Sequence, residues 1–314
     1  MDKALQQNKR PLLLMVLPLL KRALTKLLRN DPLRMAGATA FFTSFALPFI
    51  LIILSNLLGL FYSEPKVSSE LFQTLSDVFG VEAMDQVIEI LLAFRQLASS
   101  PAVTIAGILF LFLVSTTLLM VIKSSINQLW RIKVVHGRGL LQKLRTRLQS
   151  ILIIAGTGIL FSLSILAEGL KAHLDSKVTS VLPAFAHYFV SVSNYAFSLI
   201  FVTLWFTIIF RMLPDAKAPW KIAMTGGFIT SVLFNLGKVL LRLLLVNSNL
   251  NTLYGASASI VLLLLFVFYS SLILYFGASF THVWADWTNT TIRPRSYATH
   301  YRLEDVDEEL ETGN

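Results

Sequence analysis

Residues 258–284 read ASIVLLLLFVFYSSLILYFGASFTHVW, a run that contains no Asp, Glu, Lys or Arg. As an α-helix this run is about 40 Å long, and the hydrocarbon core of a bilayer is about 30 Å thick. Apolar runs of similar length lie upstream, at 37–61, 102–122, 148–170, 187–210 and 222–246. The sequence therefore predicts an all-α, polytopic membrane protein with six transmembrane helices.

The amino-acid composition excludes an ordinary soluble enzyme domain. Of the 314 residues, 55% are apolar and 14% are charged, and the mean hydropathy is +0.67. Soluble domains carry about 25% charged residues, so the shortfall is large. The chain has no cysteine, which excludes a disulfide framework and any metal site built on thiolates.

The segments outside the spans complete the predicted organisation. In the cytoplasmic or interfacial segment 1–36, residues 8–30 are predicted to form an amphipathic helix on the membrane surface, because the apolar part is too short to span and the basic residues follow it. Residues 63–101 carry six acids, and their apolar residues recur at helical spacing, which predicts short amphipathic periplasmic helices. The six-helix transmembrane domain is assigned to 37–285, and an acidic cytoplasmic tail to 286–314.

The distribution of basic residues predicts the orientation. Of the 27 Lys and Arg, 20 lie before the first span, in the loops at 131–147 and 211–221, or in the C-terminal tail. The alternate loops hold four. Since cytoplasmic loops of membrane proteins are enriched in Lys and Arg, we expect both termini to lie in the cytoplasm. The net charge of +9 then fits basic loops beside anionic lipid, and no nucleic-acid partner is expected.

Charged residues inside the predicted spans are candidate functional residues, because each costs free energy to insert. Lys238 lies about 6 Å and Arg242 about 12 Å from the middle of the fifth span by helical rise. Asn235 shares their helix face, since the three are spaced i, i+3 and i+7. This face is interpreted as lining a polar cavity for an anionic solute, with Glu168 as counter-ion at the outer level. The alternative is a buried ion pair and hydrogen bonds that fix helix packing.

Lys123 lies at the cytoplasmic end of the second span. A lysine at that position can extend its ammonium group along its aliphatic stem to the membrane surface. Snorkelling of this kind is the expected explanation for Lys123, and a lysine at the cytoplasmic end also agrees with the predicted orientation.

A search for catalytic and metal-binding motifs gives no enzyme prediction. The chain lacks a Gly-rich phosphate loop, an HExxH zinc pair and a Gly-x-Ser-x-Gly nucleophile elbow. The five histidines are scattered, and only His282 and Asp286 have the i, i+4 spacing of a shared metal ligand pair. Two ligands at a membrane boundary are weak support for a metal, so no metal, cofactor or catalytic residue is expected.

Four stretches together resemble the YihY / virulence factor BrkB family of bacterial inner-membrane proteins, of the UPF0761 type. They are ATAFFTSFALP at 38–48, SINQLWR at 125–131, FRMLPD at 210–215 with WKIA at 220–223, and LYGA at 253–256 leading to LYFGA at 274–278. The resemblance implies six helical spans, and its motifs point to Asn127 and Tyr254 as candidate ligand contacts. The family's old label, ribonuclease BN, is not carried over. Ser279 stands where the family usually has Glu.

The leading hypothesis is a non-enzymatic protein that moves or binds an anionic or amphipathic solute. Its polar cavity is expected to be lined by Lys238, Arg242, Asn235 and Glu168. The alternative is a structural or lipid-interacting envelope scaffold without transport, and a membrane-associated ribonuclease is a remote third possibility. Membrane lipids are the expected partners, and homo-oligomer formation is left open. A water-filled cavity that reaches Lys238 favours transport, and a dry bundle with Lys238 paired favours the scaffold.

Overall fold

The computed structural model describes residues 12–59, 101–135, 183–246 and 258–302, with five further helical positions between 156 and 167. Six long helices and four short strands lie in this part of the chain. The helices are α1 Leu12–Leu28, α2 Pro32–Gly59, α3 Pro101–Leu129, α4 Pro183–Met212, α5 Trp220–Val246 and α6 Ala258–Trp287. The strands are β1 Ile132–Val134, β2 Ala216–Lys217, β3 Arg293–Pro294 and β4 Ala298–His300.

Helices α2 to α6 coincide with five of the six predicted spans. Four of them contain segments that are long and apolar enough to cross a membrane, namely Ile105–Leu129, Tyr195–Met212, Trp220–Leu240 and Leu263–Trp287. The predicted third span at 148–170 and the predicted periplasmic helices at 63–101 lie largely or wholly outside the described residues. A mostly helical membrane protein is therefore confirmed, and the count of six spans stays a prediction.

The junction between α1 and α2 is a tight turn. Asp31 has a φ of 51°, a left-handed conformation that Asp and Asn tolerate better than most residues. Pro32 follows as the first residue of α2, where its missing N–H costs no hydrogen bond. This turn places α1 against α6, with Leu19 and Ala23 packed on Phe280 and Val283.

Helices α5 and α6 approach closely through small residues. Thr281 of α6 packs on Gly226 of α5, and Thr230 of α5 packs on Gly277 of α6. Each threonine hydroxyl donates to a carbonyl of its own helix, Thr230 to Gly226 and Thr281 to Gly277, at 2.6 and 2.7 Å. In both reciprocal contacts the threonine hydroxyl is therefore satisfied within its own helix, and small residues of this kind are typical of helix packing in membranes.

The best-packed region lies where α3, α4 and α6 end and α5 begins. The largest side chains buried there are Trp130, Phe206, Phe210, Tyr275 and Phe280. The basic-residue distribution predicts that this end of the bundle is cytoplasmic. Packing is densest at this end among the described residues because loops and the C-terminal segment fold over the helix ends.

The four strands tie the C-terminal segment to this end of the bundle. Strand β4 pairs antiparallel with β1, with Lys133 opposite Thr299, and β3 pairs antiparallel with β2, with Lys217 opposite Arg293. The hydropathy pattern of the sequence does not predict these strands. Pieces of two or three residues are too short for alternation of apolar and polar residues to reveal them.

Candidate functional site

The polar face predicted on α5 packs against α4. The Asn235 amide donates to the Ser231 carbonyl at 2.9 Å, and the Ser198 hydroxyl of α4 lies 3.5 Å from Asn235 Oδ1. Ser231 donates to the Leu199 carbonyl of α4 at 3.1 Å. Asn235 therefore joins two helices, which is the packing alternative that the sequence left open.

Lys238 lies one helical turn beyond Asn235 on the same helix. Its Nζ is 5.5 Å from the centre of the Phe234 ring, a cation–π distance. In the part of the chain that the structure describes, Lys238 has no carboxylate partner and lines neither of the two cavities described below. The Arg242 side chain, Glu168 and Tyr254 lie outside the described residues, so the cavity predicted from this set stays a prediction.

Asn127 is part of a buried polar cluster. Its amide nitrogen donates to Asp215 Oδ2 at 2.8 Å, and the Asp215 backbone N–H donates to Asn127 Oδ1 at 2.9 Å. Asp215 follows Pro214 in the loop between α4 and α5, so this pair joins that loop to the end of α3. Both ends of the Asn127 amide are used in this pairing, so Asn127 has a structural role, and its ligand contact stays a prediction.

The prediction for Lys123 was wrong. Its side chain is 9% exposed, and its Nζ lies 2.6 Å from Asp215 Oδ1, whose side chain is 1% exposed. Lys123 and Asn127 are four residues apart on α3, so both side chains reach the same carboxylate. The Lys123 ammonium group is therefore paired with a buried carboxylate.

The C-terminal segment completes this cluster. The Tyr297 hydroxyl donates to Asp215 Oδ1 at 2.9 Å, and the Arg295 backbone N–H donates to the Asp215 carbonyl at 2.9 Å. Burial, and then the nearby carboxylate, raise the pKa of the Tyr297 phenol, so Tyr297 remains a donor at neutral pH. We call Lys123, Asn127, Asp215 and Tyr297 the Asp215 cluster. It holds three chain segments in one geometry.

Sequence reasoning missed Asp215 and Tyr297. Asp215 is the last residue of the FRMLPD motif at 210–215, and no role was predicted for its carboxylate. One signal for Asp215 was available in the sequence. Asp215 directly follows Pro214 at the cytoplasmic end of the predicted fourth span, on the same predicted side of the membrane as Lys123. Tyr297 gave no such signal, because it lies 82 residues from Asp215 in the chain.

An apolar groove of about 880 Å³ lies between α1, the turn to α2, α5 and α6. Its volume is in the range of ligand pockets in proteins. It is lined by Leu24, Leu27, Leu28, Asp31, Pro32, Leu33, Arg34, Leu233, Tyr269, Leu272, Ile273 and Phe276. Charged side chains occur only at the turn, where Arg34 lies 3.8 Å from Asp31 and both are well exposed.

His282 and Asp286, the pair considered as metal ligands, lie 3.0 Å apart. Within residues 12–59, 101–135, 183–246 and 258–302, no third His, Asp or Glu completes a metal-binding group with them. The pair lines a second, polar cavity of about 520 Å³ beside the end of α3.

The chain resembles known proteins in sequence but no protein of known structure. The sequence model of the family described as virulence factor BrkB matches residues 23–299. A UPF0761 membrane protein of Pseudomonas paraeruginosa is 29% identical over 182 residues, which cover 56% of this chain and 41% of that protein. The chain thus spans about two fifths of the length of this relative. No solved structure matches the chain.

Two further relatives align over more of the chain. A UPF0761 membrane protein of Saccharophagus degradans is 27% identical over 263 residues, covering 80% of this chain and 56% of the relative. One of Haemophilus influenzae is 24% identical over 247 residues, covering 78% and 87%. The names of all three relatives describe membrane proteins and state no activity.

Proposed function

The chain belongs to the virulence factor BrkB family, whose relatives are named as membrane proteins, and we propose that it binds and carries an anionic amphipathic lipid. It acts without enzymatic chemistry in a bacterial inner membrane. The observation that carries this proposal is the apolar groove between α1, α5 and α6. The site therefore moves from the polar face of α5, where the sequence analysis placed it, to the groove.

The walls of the groove suit an acyl chain. Leu24, Leu28 and Leu33 line it and are 46%, 62% and 66% exposed. Each methylene group that leaves water for such a surface gains about 0.8 kcal/mol. Inside a bilayer that gain is absent, so selection of one lipid rests on the shape of the groove and on its charged end.

The charged end of the groove suits a headgroup phosphate. Arg34 lines the groove at the turn, and its ion pair with Asp31 is exposed on both sides. An exposed pair of this kind is worth about 1 kcal/mol or less, so the guanidinium is available for a charge-assisted bond to phosphate. The predicted cytoplasmic orientation places this end at headgroup level.

The proposal includes the membrane topology. Six spans, with the third at 148–170, put both termini on the same side. The positive-inside rule assigns that side to the cytoplasm, since 20 of the 27 Lys and Arg lie there. The groove then belongs to the cytoplasmic leaflet of the inner membrane.

A charge placed in the groove is expected to weaken lipid binding. The substitution Leu24→Glu puts a carboxylate among the groove leucines, so we expect about a tenfold or greater loss of affinity for an anionic lipid. Leu17→Glu is the matched control, because Leu17 is also an exposed leucine of α1 but does not line the groove. Titration of dioleoylphosphatidylglycerol followed by native mass spectrometry measures both. Equal binding by the two variants contradicts the groove as the site.

A structural scaffold without transport is the second candidate. The observation that favours it is the set of hydrogen bonds from Ser231 and Asn235 to α4, which occupies the face predicted to line a pathway. A lipid-transfer assay in proteoliposomes separates the two candidates. The lipid-carrier proposal expects transfer that Leu24→Glu reduces and that Lys238→Ala leaves within about twofold of wild type.

The other results of the transfer assay favour either the scaffold or the polar face of α5. Binding without transfer by correctly folded protein supports the scaffold. Transfer that requires Lys238 returns the pathway to the polar face of α5 and overturns the groove. Thermal unfolding of each variant, measured in the same detergent, establishes that the protein remains folded.

A further inference from the structure

The polar cavity of about 520 Å³ is separate from the groove and shares no lining residue with it. The cavity is formed by the end of α3, by the end of α6 with the loop that follows it, and by the residues around β4. Its lining residues are Trp130, Arg131, His282, Ala285, Asp286, Asn289, Thr290, Thr291, Ile292, His300, Tyr301 and Arg302. Its floor is apolar and buried, with Trp130 fully buried and Ile292 nearly so.

Within the part of the chain that the structure describes, basic side chains outnumber acidic ones around this cavity. Arg131 and Arg302 line it, and Lys26 of α1 lies close enough to interact electrostatically with Asp286 and Arg131. Asp286 is the single carboxylate of the lining, and it already bonds to His282 at 3.0 Å. Among the described residues at the cavity, positive charge therefore exceeds negative charge, and Asp286 is bonded to His282.

Lys26, beside this cavity, has a lowered pKa that is caused chiefly by its burial. Burial, opposed by Asp286 and assisted by Arg131, lowers the pKa of the Lys26 ammonium group from 10.5 to about 8. The charged form is costly in the absence of an anion. A bound anion beside Lys26 relieves that cost and favours the protonated lysine.

The backbone around the cavity is fixed before any ligand arrives. Arg131 has a φ of 54°, its N–H donates to the Gln128 carbonyl at 3.1 Å, and its carbonyl accepts from the Tyr301 N–H at 3.0 Å. His300 Nε2 bonds to the Ile292 carbonyl at 3.1 Å. These bonds fix the Arg131 backbone and the His300 imidazole at the cavity wall.

We propose that this cavity binds the phosphate group of a phosphate monoester. Arginine presents planar pairs of N–H donors that match phosphate oxygens, and two arginines line the cavity. A cation is disfavoured because Asp286 is bonded to His282, and an acyl chain is disfavoured by the polar walls. The site goes beyond the lipid-carrier role, since it requires neither the groove nor transport. The phosphate comes either from a soluble ester or from the headgroup of phosphatidic acid.

The first test compares two arginine substitutions. Arg131→Asn removes the guanidinium and keeps a residue type that tolerates a positive φ. Arg293→Gln is the control, because Arg293 is an exposed arginine of the same C-terminal segment that does not line the cavity. Calorimetric titration of the detergent-solubilised full chain with glycerol 3-phosphate is expected to show about a tenfold or greater affinity loss for Arg131→Asn and no change for Arg293→Gln.

A second arm identifies the source of the phosphate. Nanodiscs of phosphatidylcholine with and without phosphatidic acid are used to follow thermal unfolding of the wild type and both variants. Stabilisation by glycerol 3-phosphate that depends on Arg131 supports a soluble ester. Stabilisation by phosphatidic acid alone, again dependent on Arg131, supports the headgroup. No binding in either arm, or equal loss in both variants, overturns the proposal. Leu24→Glu is expected to leave the response to glycerol 3-phosphate unchanged, which separates this test from that of the groove.

The pH dependence of binding provides an independent readout. The titratable or charged groups at the cavity are Lys26, Arg131, His282, Asp286, His300, Tyr301 and Arg302. A phosphate monoester is fully ionised well above pH 6, so its own charge is nearly constant between pH 7.5 and 9. Lys26 loses its charge in this interval, and affinity is expected to fall as pH rises. Lys26→Met is expected to bind more weakly at pH 7.5 and to flatten the profile. An unchanged profile contradicts a site beside Lys26.

Discussion

Replacing Asp215 by asparagine is expected to lower the free energy of unfolding by about 3–5 kcal/mol, the cost of breaking a buried ion pair from one side. The substitution leaves the Lys123 ammonium group, which is 9% exposed, beside a neutral amide. It also replaces one of the two carboxylate oxygens, which accept hydrogen bonds from Asn127 and Tyr297, by an NH2 donor. Three chain segments lose their common anchor, so the effect is expected to be large for a single substitution.

A double-mutant cycle checks this expectation. Lys123→Met combined with Asp215→Asn is expected to be less destabilising than the sum of the two single substitutions. The double variant carries no unpaired buried charge, whereas each single variant does. Asp31→Asn is the matched control, since its ion pair with Arg34 is exposed and contributes about 1 kcal/mol or less. Reversible unfolding in mixed micelles gives all four free energies. Additive single effects contradict a direct Lys123–Asp215 interaction.

Replacing Gly277 by alanine is expected to destabilise the protein by about 1–3 kcal/mol or more, the range measured for overpacking. A methyl group at this position overlaps the Thr230 side chain, whose Cβ and Cγ2 are each 2.9 Å from the added carbon. The bundle avoids the overlap only by moving α5 and α6 apart, which also separates Gly226 from Thr281. Both reciprocal contacts are then lost.

Two variants isolate the steric cause. Gly37→Ala is the control, because nothing lies within 4 Å of the added carbon and alanine favours a helix. It is expected to be neutral or slightly stabilising. Thr230→Gly combined with Gly277→Ala removes the obstructing side chain, and its loss of stability is expected to be smaller than the sum of the single losses. Thermal unfolding in one detergent compares all variants. A Gly277→Ala protein as stable as wild type contradicts the close contact.

The helices were predictable because the information that specifies them is local. A run of about 20 apolar residues forms a helix in lipid, where every backbone N–H and C=O requires an internal partner. The predicted boundaries at 187–210 and 222–246 agree with α4 and α5 to within a few residues at their loop-facing ends. There the basic residues and Pro214 mark the edge of the membrane. These signals lie within the segment that they describe.

The sites were predictable only in part. Residue type identified Lys238 as costly, and the family resemblance pointed to Asn127 as a candidate contact, but neither gave their partners. Asn127 and Asp215 are 88 residues apart, and Tyr297 is 82 residues beyond Asp215. Which polar groups meet depends on how helix ends and loops pack, and hydropathy carries no signal for that.

The sequence by itself determined a membrane-embedded helical protein, the positions of the described spans and the basic side of the chain. Transfer of apolar segments into lipid and the placement of Lys and Arg are properties of single segments. Only the tertiary structure decided that Lys123 is paired rather than solvated, that short strands fasten the C-terminal segment, and that α1 forms one wall of a groove. Each of these depends on contacts between segments far apart in the chain, whose free energy exists only once the helices have packed.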